Sequence, residues 1–93
     1  MKNTIALSNI LHERRRQDAK WGEQNHKPAT WLMILGEEVG EANKAALESM
    51  INGRYQEDLV MKYRDELVHV AAVALAAVES FDRDEWKNYS SAP

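Results

Sequence analysis

At 93 residues, the chain has room for one domain, and its core is marginal, because a chain of this size buries only about 60–68% of its unfolded surface. It has no cysteine, which excludes disulfides and thiolate metal sites and leaves a partner subunit or an oxygen- and nitrogen-held metal as the available staple. A composition of 44% hydrophobic and 29% charged residues is that of a globular protein, and a net charge of -3 argues against a nucleic-acid partner, which leaves a basic footprint.

Met1-Lys2-Asn3-Thr4-Ile5 lacks the apolar stretch of a secretory signal. The most apolar run, Leu67 to Val78, is interrupted only by His69 and is too short for a bilayer, which takes about 20 residues. The expectation is a cytoplasmic protein with no membrane partner, in a single domain over 1–93 whose tail, 84–93, frays or docks on a neighbour.

Punctuation by four glycines and two prolines divides the chain into three expected helices. The first runs from about Thr4 to Lys20, with Ile5, Leu7, Ile10 and Leu11 on its early apolar face and a solvated second half, Glu13 to Asp18. Trp21 to Pro28 breaks it, since Gly22 permits unusual backbone angles and Pro28 disfavours helix at Lys27. Thr30 is the expected N-cap of the second helix, which runs to about Asn52 with Gly53 just past its end. Leu32, Leu35, Val39, Ala42, Ala46 and Met50 recur at helical spacing along it. The third helix spans Glu57 to Asp82, and its stripe includes Leu59, Tyr63, Leu67, Val70, Ala74, Val78 and Phe81. From Leu67 onward its apolar surface goes almost all round, and such a helix must be covered on every side. Two other helices are too few for that. The expected fold is therefore all-α, an antiparallel helical bundle completed by oligomerisation.

The chemistry concentrates in Gly36-Glu37-Glu38-Val39-Gly40-Glu41. Helical spacing puts these carboxylates on neighbouring turns, where like charges cost about 0.2–0.5 kcal/mol per pair, and each glycine costs roughly 1 kcal/mol against alanine. A hard cation reverses the sign, because Mg²⁺ takes carboxylate oxygens. A solvated acidic stripe is the plainer reading, but it does not explain Gly36 and Gly40, which suit close packing or substrate approach. Glu66 and His69 share a face of the third helix at i, i+3. A lone histidine on an apolar face is commonly a satisfied core residue; Glu66 beside it favours a ligand. Glu-x-x-His is also found in carboxylate-bridged di-iron bundles, so a di-metal redox bundle is an alternative. Arg14-Arg15-Arg16 is either a phosphate contact or a solvated run. Trp21, His26 and Trp31 either stack on a base or close the helix corner.

Trp21-x-x-Gln24-x-His26-x-Pro28, Trp31-Leu32, Gly36-Glu37-Glu38-x-Gly40-Glu41 and Glu66-x-x-His69 together resemble the MazG-like nucleoside triphosphate pyrophosphohydrolases, over roughly residues 10 to 82. The family hallmark is Glu-Glu-x-x-Glu on one helix and Glu-x-x-Asp on the next; here His69 stands in place of the Asp. The resemblance implies hydrolysis of a nucleoside triphosphate, expected to be a deoxynucleotide, to monophosphate and pyrophosphate in nucleotide-pool house-cleaning. It implies Mg²⁺, with Mn²⁺ as a substitute, held by Glu38, Glu41, Glu66 and His69, with Glu37 and Glu38 catalytic and Glu37 orienting the water. It implies contacts to substrate from Arg16, Lys20, Trp21, Gln24, His26 and Trp31, and a homodimer or dimer of dimers. Because imidazole suits Mn²⁺, Zn²⁺ or Fe²⁺ better than Mg²⁺, His69 leaves a noncatalytic nucleotide-binding module as a further alternative.

Overall fold

In the computed structural model, which describes residues 3–51 and 56–83, those residues form three helices and no strand: α1 (Thr4–Trp21), α2 (Pro28–Glu48) and α3 (Glu57–Asp82). The expected tail at 84–93, with Trp86 and Tyr89, and the expected end of the second helix at Asn52-Gly53 lie outside the described residues.

α1 ends where Gly22 turns to φ 74°, a left-handed conformation that suits glycine, while its N–H donates to the Asp18 carbonyl at 2.8 Å. α2 begins two residues before the expected Thr30 cap. Lys27 is its N-cap and Pro28 its first residue. Proline has no N–H to leave unsatisfied at that position, and its fixed φ already matches the helix, so Pro28 opens the helix as well as excluding Lys27 from it. Ser49 closes α2, its hydroxyl donating to the Ala46 carbonyl at 2.7 Å. α3 keeps the expected bounds.

α3 is the helix against which both others pack. Trp31 near the start of α2 meets Val73 and Ala76 late in α3, and Glu38 further along α2 faces Glu66 and His69 earlier in α3, so the two helices are antiparallel. α1 runs in the sense of α3: Asn9 accepts from Arg64 and Glu79 accepts from Arg14.

The core is small. Trp31, Val73 and Ala76 form its centre, with Ile34, Leu35 and Ala77 packed against them. The buried stripe of α2 is Trp31, Ala42, Ala45 and Ser49, and that of α3 is Ala72, Val73, Ala76 and Ser80. The expected stripes hold in part: Ala42 is buried and Leu35 and Ala77 pack against the core. Leu32 and Val39 on α2, Met50 just after it, and Leu67, Val78 and Phe81 on α3 are exposed. The buried positions between α2 and α3 are mostly small, Ala42, Ala45, Ala72 and Ala76, and the bulky aliphatics lie outside them. The second half of α1 is not uniformly solvated either: Glu13 and Arg14 are 7% and 8% exposed. Their charges are buried because each has an oppositely charged partner, as the cost of an unpaired buried ion requires.

Candidate metal centre and its cavity

α2 and α3 bring Glu38, Glu66 and His69 together: one ligand-capable atom from each lies within 4.8 Å of the others. His69 Nδ1 is 3.4 Å from Glu66 Oε2, one helical turn back on α3, and 4.0 Å from Glu38 Oε2 across the helix pair. The remaining helix, α1, adds a carboxylate that sequence spacing does not flag. Glu13 on α1 places its Oε2 3.8 Å from His69 Nε2.

The electrostatics of the three carboxylates differ. Arg16 forks onto Glu13 with two bonds of 2.8 Å, and Gln17 donates to it at 3.3 Å. The Arg16 hydrogen bond holds the Glu13 carboxyl below its ordinary value against the opposing effect of burial, with His69 and Gln17 assisting. Glu38 has no Lys or Arg partner among the described residues. Burial pushes its carboxyl above the ordinary value; the charge of His69 opposes this, and those of Glu66, Glu41 and Glu13 reinforce it. Negative charge therefore accumulates at Glu38 and Glu66 with an imidazole as the nearest counter-group.

Glu38 and His69 border a cavity of about 530 Å³. Its other walls come from α1 and the loop after it, including Arg14, Arg16, Lys20, Trp21 and Gln24, and from Trp31 and Val73 at its apolar end. Arg14 is buried there, held by Glu79 of α3 through Nε at 2.8 Å and Nη2 at 2.6 Å, and by Asp18 at 3.0 Å. Burial works against its charge, but the hydrogen bonds to Glu79 and Asp18 outweigh that and raise its pKa. Arg83 at the end of α3 ties down the connecting loop, donating to the Gln24 carbonyl at 3.1 Å and to Asn25 Oδ1 at 2.8 Å. These two arginines fix the α1 wall and the loop over the cavity.

The expected substrate residues divide. Lys20, Trp21 and Gln24 line the cavity. Lys20 pairs with no carboxylate among the described residues; its Nζ lies 4.9 Å above the Trp21 ring, a cation–π contact. Trp21 is 62% exposed. Arg16 lines the cavity with its guanidinium committed to Glu13. Trp31 is a core residue at 6% exposure whose ring reaches the cavity wall, and His26 packs edge-on against it at 4.8 Å between centroids, outside that wall. Trp31 Nε1 and His26 Nε2 are buried without a hydrogen-bond partner. Of the expected acidic residues, Glu37 and Glu41 are exposed and stand outside both the Glu38–Glu66–His69 group and the cavity lining.

Comparison of the chain with protein-family models, with curated proteins and with solved structures finds no match.

Proposed function

We propose that this chain is a divalent-cation-dependent hydrolase of a nucleoside triphosphate, a deoxynucleotide, producing monophosphate and pyrophosphate in the manner of the MazG-like enzymes it resembles. The observation that carries the reading is the convergence of Glu38, Glu66 and His69 from two facing helices beside a cavity that also presents an exposed tryptophan and a free lysine.

The donor set fits a cation. Two carboxylates and an imidazole form a set of oxygen and nitrogen ligands suited to Mg²⁺ or, better, Mn²⁺, and the raised Glu38 carboxyl marks a place where added positive charge is favourable. Glu38, Glu66 and His69 would hold the metal. When bound, it supplies charge that offsets the phosphates and the leaving pyrophosphate.

The protein's own residues do the rest. Trp21 offers a face for a base, since stacking is tolerant of base identity. Lys20, four residues from the Arg16–Glu13 pair, is the cation free to meet a phosphate. Arg16 pairs with Glu13 and offsets part of its charge at the cavity wall. Glu38 lines the cavity, which supports its taking over from the exposed Glu37 the expected role of orienting the water. Glu37 and Glu41 face outward from α2, and their expected roles belong to the side of the helix that substrate or a second copy would cover. Homodimerisation or pairing of dimers fits the apolar surface left on α2 and α3.

The test is a screen of deoxy- and ribonucleoside triphosphates with Mg²⁺ and with Mn²⁺, identifying products. The expected products are a monophosphate and pyrophosphate. Orthophosphate release would mean a different cleavage. Binding without product would mean a noncatalytic module, and iron-dependent oxygen consumption would favour the di-metal redox bundle.

A further inference from the structure

We infer that Glu13, on the one helix that contributes nothing to the cation ligands, is a positioning residue for His69: it receives the imidazole Nε2–H, which leaves Nδ1 free to ligate. The inference rests on the reading of Glu38, Glu66 and His69 as a cation site and adds to it a specific tautomer and a second-row carboxylate that selects the metal.

His69 stands between two groups of acidic side chains, and its two nitrogens face different ones. Nδ1 is toward Glu66 at 3.4 Å and Glu38 at 4.0 Å. Nε2 is toward Glu13 at 3.8 Å. A neutral imidazole carries one N–H and one lone pair. A cation shared with Glu38 and Glu66 takes the lone pair on Nδ1, so the proton sits on Nε2 and points at Glu13. Metal-bound histidines almost always donate their other N–H to a carboxylate, a carbonyl or water, and this fixes both tautomer and ring orientation.

Glu13 is built to be that acceptor. Glu13 Oε1 accepts from Arg16 Nε, while Oε2, the atom nearest His69 Nε2, accepts from Arg16 Nη2 at 2.8 Å and from Gln17 at 3.3 Å, and the longer Gln17 bond is the one an imidazole N–H would replace. The bidentate Arg16 fork fixes the plane of the carboxylate. The 3.8 Å separation is longer than a hydrogen bond, which spans about 2.7–3.2 Å, and contacts of this kind are often long in the unliganded state and tighten on loading. The consequence is metal choice. A correctly oriented imidazole raises affinity for Mn²⁺, Zn²⁺ or Fe²⁺ more than for Mg²⁺, so Glu13 acts on selectivity through His69.

The experiment uses ¹⁵N-histidine-labelled protein titrated with Zn²⁺, which is diamagnetic. Three histidines give three ring systems, and His69→Gln assigns the relevant one. The expected result is a metal-bound Nδ1 signal and a protonated Nε2 for His69. Glu13→Gln should weaken Zn²⁺ binding by about 10- to 100-fold, change Mg²⁺ binding far less, and add nothing in the His69→Gln background. If Zn²⁺ binds and Glu38→Gln weakens it, but His69 ligates through Nε2 or does not shift, the cation site stands and the role of Glu13 is overturned. If Glu38→Gln leaves Zn²⁺ uptake unchanged, the cation site fails and the inference with it. Should Glu13→Gln not fold, the tautomer in the parent protein decides alone.

Discussion

Glu13 and Glu38 respond to pH in opposite ways. The Glu13 carboxyl is lowered from 4.5 in the folded chain, so the stability it contributes is present above 4.5 and is lost as pH falls through its folded value. The Glu38 carboxyl is raised, so its contribution is present below 4.5 and is lost as pH rises through its folded value. Glu38→Gln removes only the second effect. Without metal, this variant should melt above the parent at neutral pH, with the difference vanishing below about pH 4.5, the unfolded reference; thermal melts from acid to neutral pH measure it. Equal melting of the two proteins across that range would contradict the assignment of Glu38 as an uncompensated charge. Trp21 and Trp31 separate binding from packing in the same way. Trp21→Ala should weaken nucleotide binding by about 1–3 kcal/mol, the usual worth of base stacking, with little loss of melting temperature, because the ring is mostly exposed. A collapse in stability with normal affinity of the folded fraction would make Trp21 a packing residue instead. At this scale the sequence was legible where ligands sit at helical spacing, as with Glu66 and His69 on one turn. It was silent on Glu13, whose partners Arg16 and Gln17 look like any charged run and whose approach to His69 spans the whole tertiary fold. Arg14 and Glu79, 65 positions apart, leave no local signal either.

Among the helices, the bounds of α1 and α3 follow from Gly22 and from the apolar periodicity, and the antiparallel pairing of α2 and α3 follows from their short connection. Which face of each helix turns inward does not follow so simply. A count of large aliphatics favours Leu32, Val39 and Leu67 for the interior, whereas the close α2–α3 approach selects Ala42, Ala45, Ala72 and Ala76. Periodicity measures where apolar side chains cluster, and a chain with two apolar faces per helix has two answers. Gly36 and Gly40 illustrate the same point. Small residues there suggest a close neighbour, yet a Cβ added at either position meets no atom within 4 Å. Each glycine therefore costs helix stability with no close neighbour among the described residues to offset it. Gly36→Ala and Gly40→Ala should each stabilise by about 0.4–1 kcal/mol, read from urea unfolding. A loss of stability in either variant would show that something outside the described residues rests against that face of α2.

Across the molecule, the described residues of all three helices carry exposed large apolar side chains. Leu32, Met33 and Leu47 on α2, Met50 just after it, Leu67, Val78 and Phe81 on α3, and Ile5, Leu7 and Leu11 on α1 are exposed, and extended apolar surface of this kind marks association. Sedimentation at micromolar concentration should give at least a dimer; a stable monomer would remove the basis for the expected helical assembly. No helix among the described residues is long and apolar enough to cross a membrane. Everything said of function depends on a divalent cation being held between α2 and α3, and Mn²⁺ titration followed by electron paramagnetic resonance tests that most directly. The account predicts saturable Mn²⁺ binding by the parent protein and a loss of affinity of at least about tenfold in Glu38→Gln, since removing a charged metal ligand costs no less than removing the groups that orient one. Binding of Mn²⁺ by Glu38→Gln with undiminished affinity would contradict it.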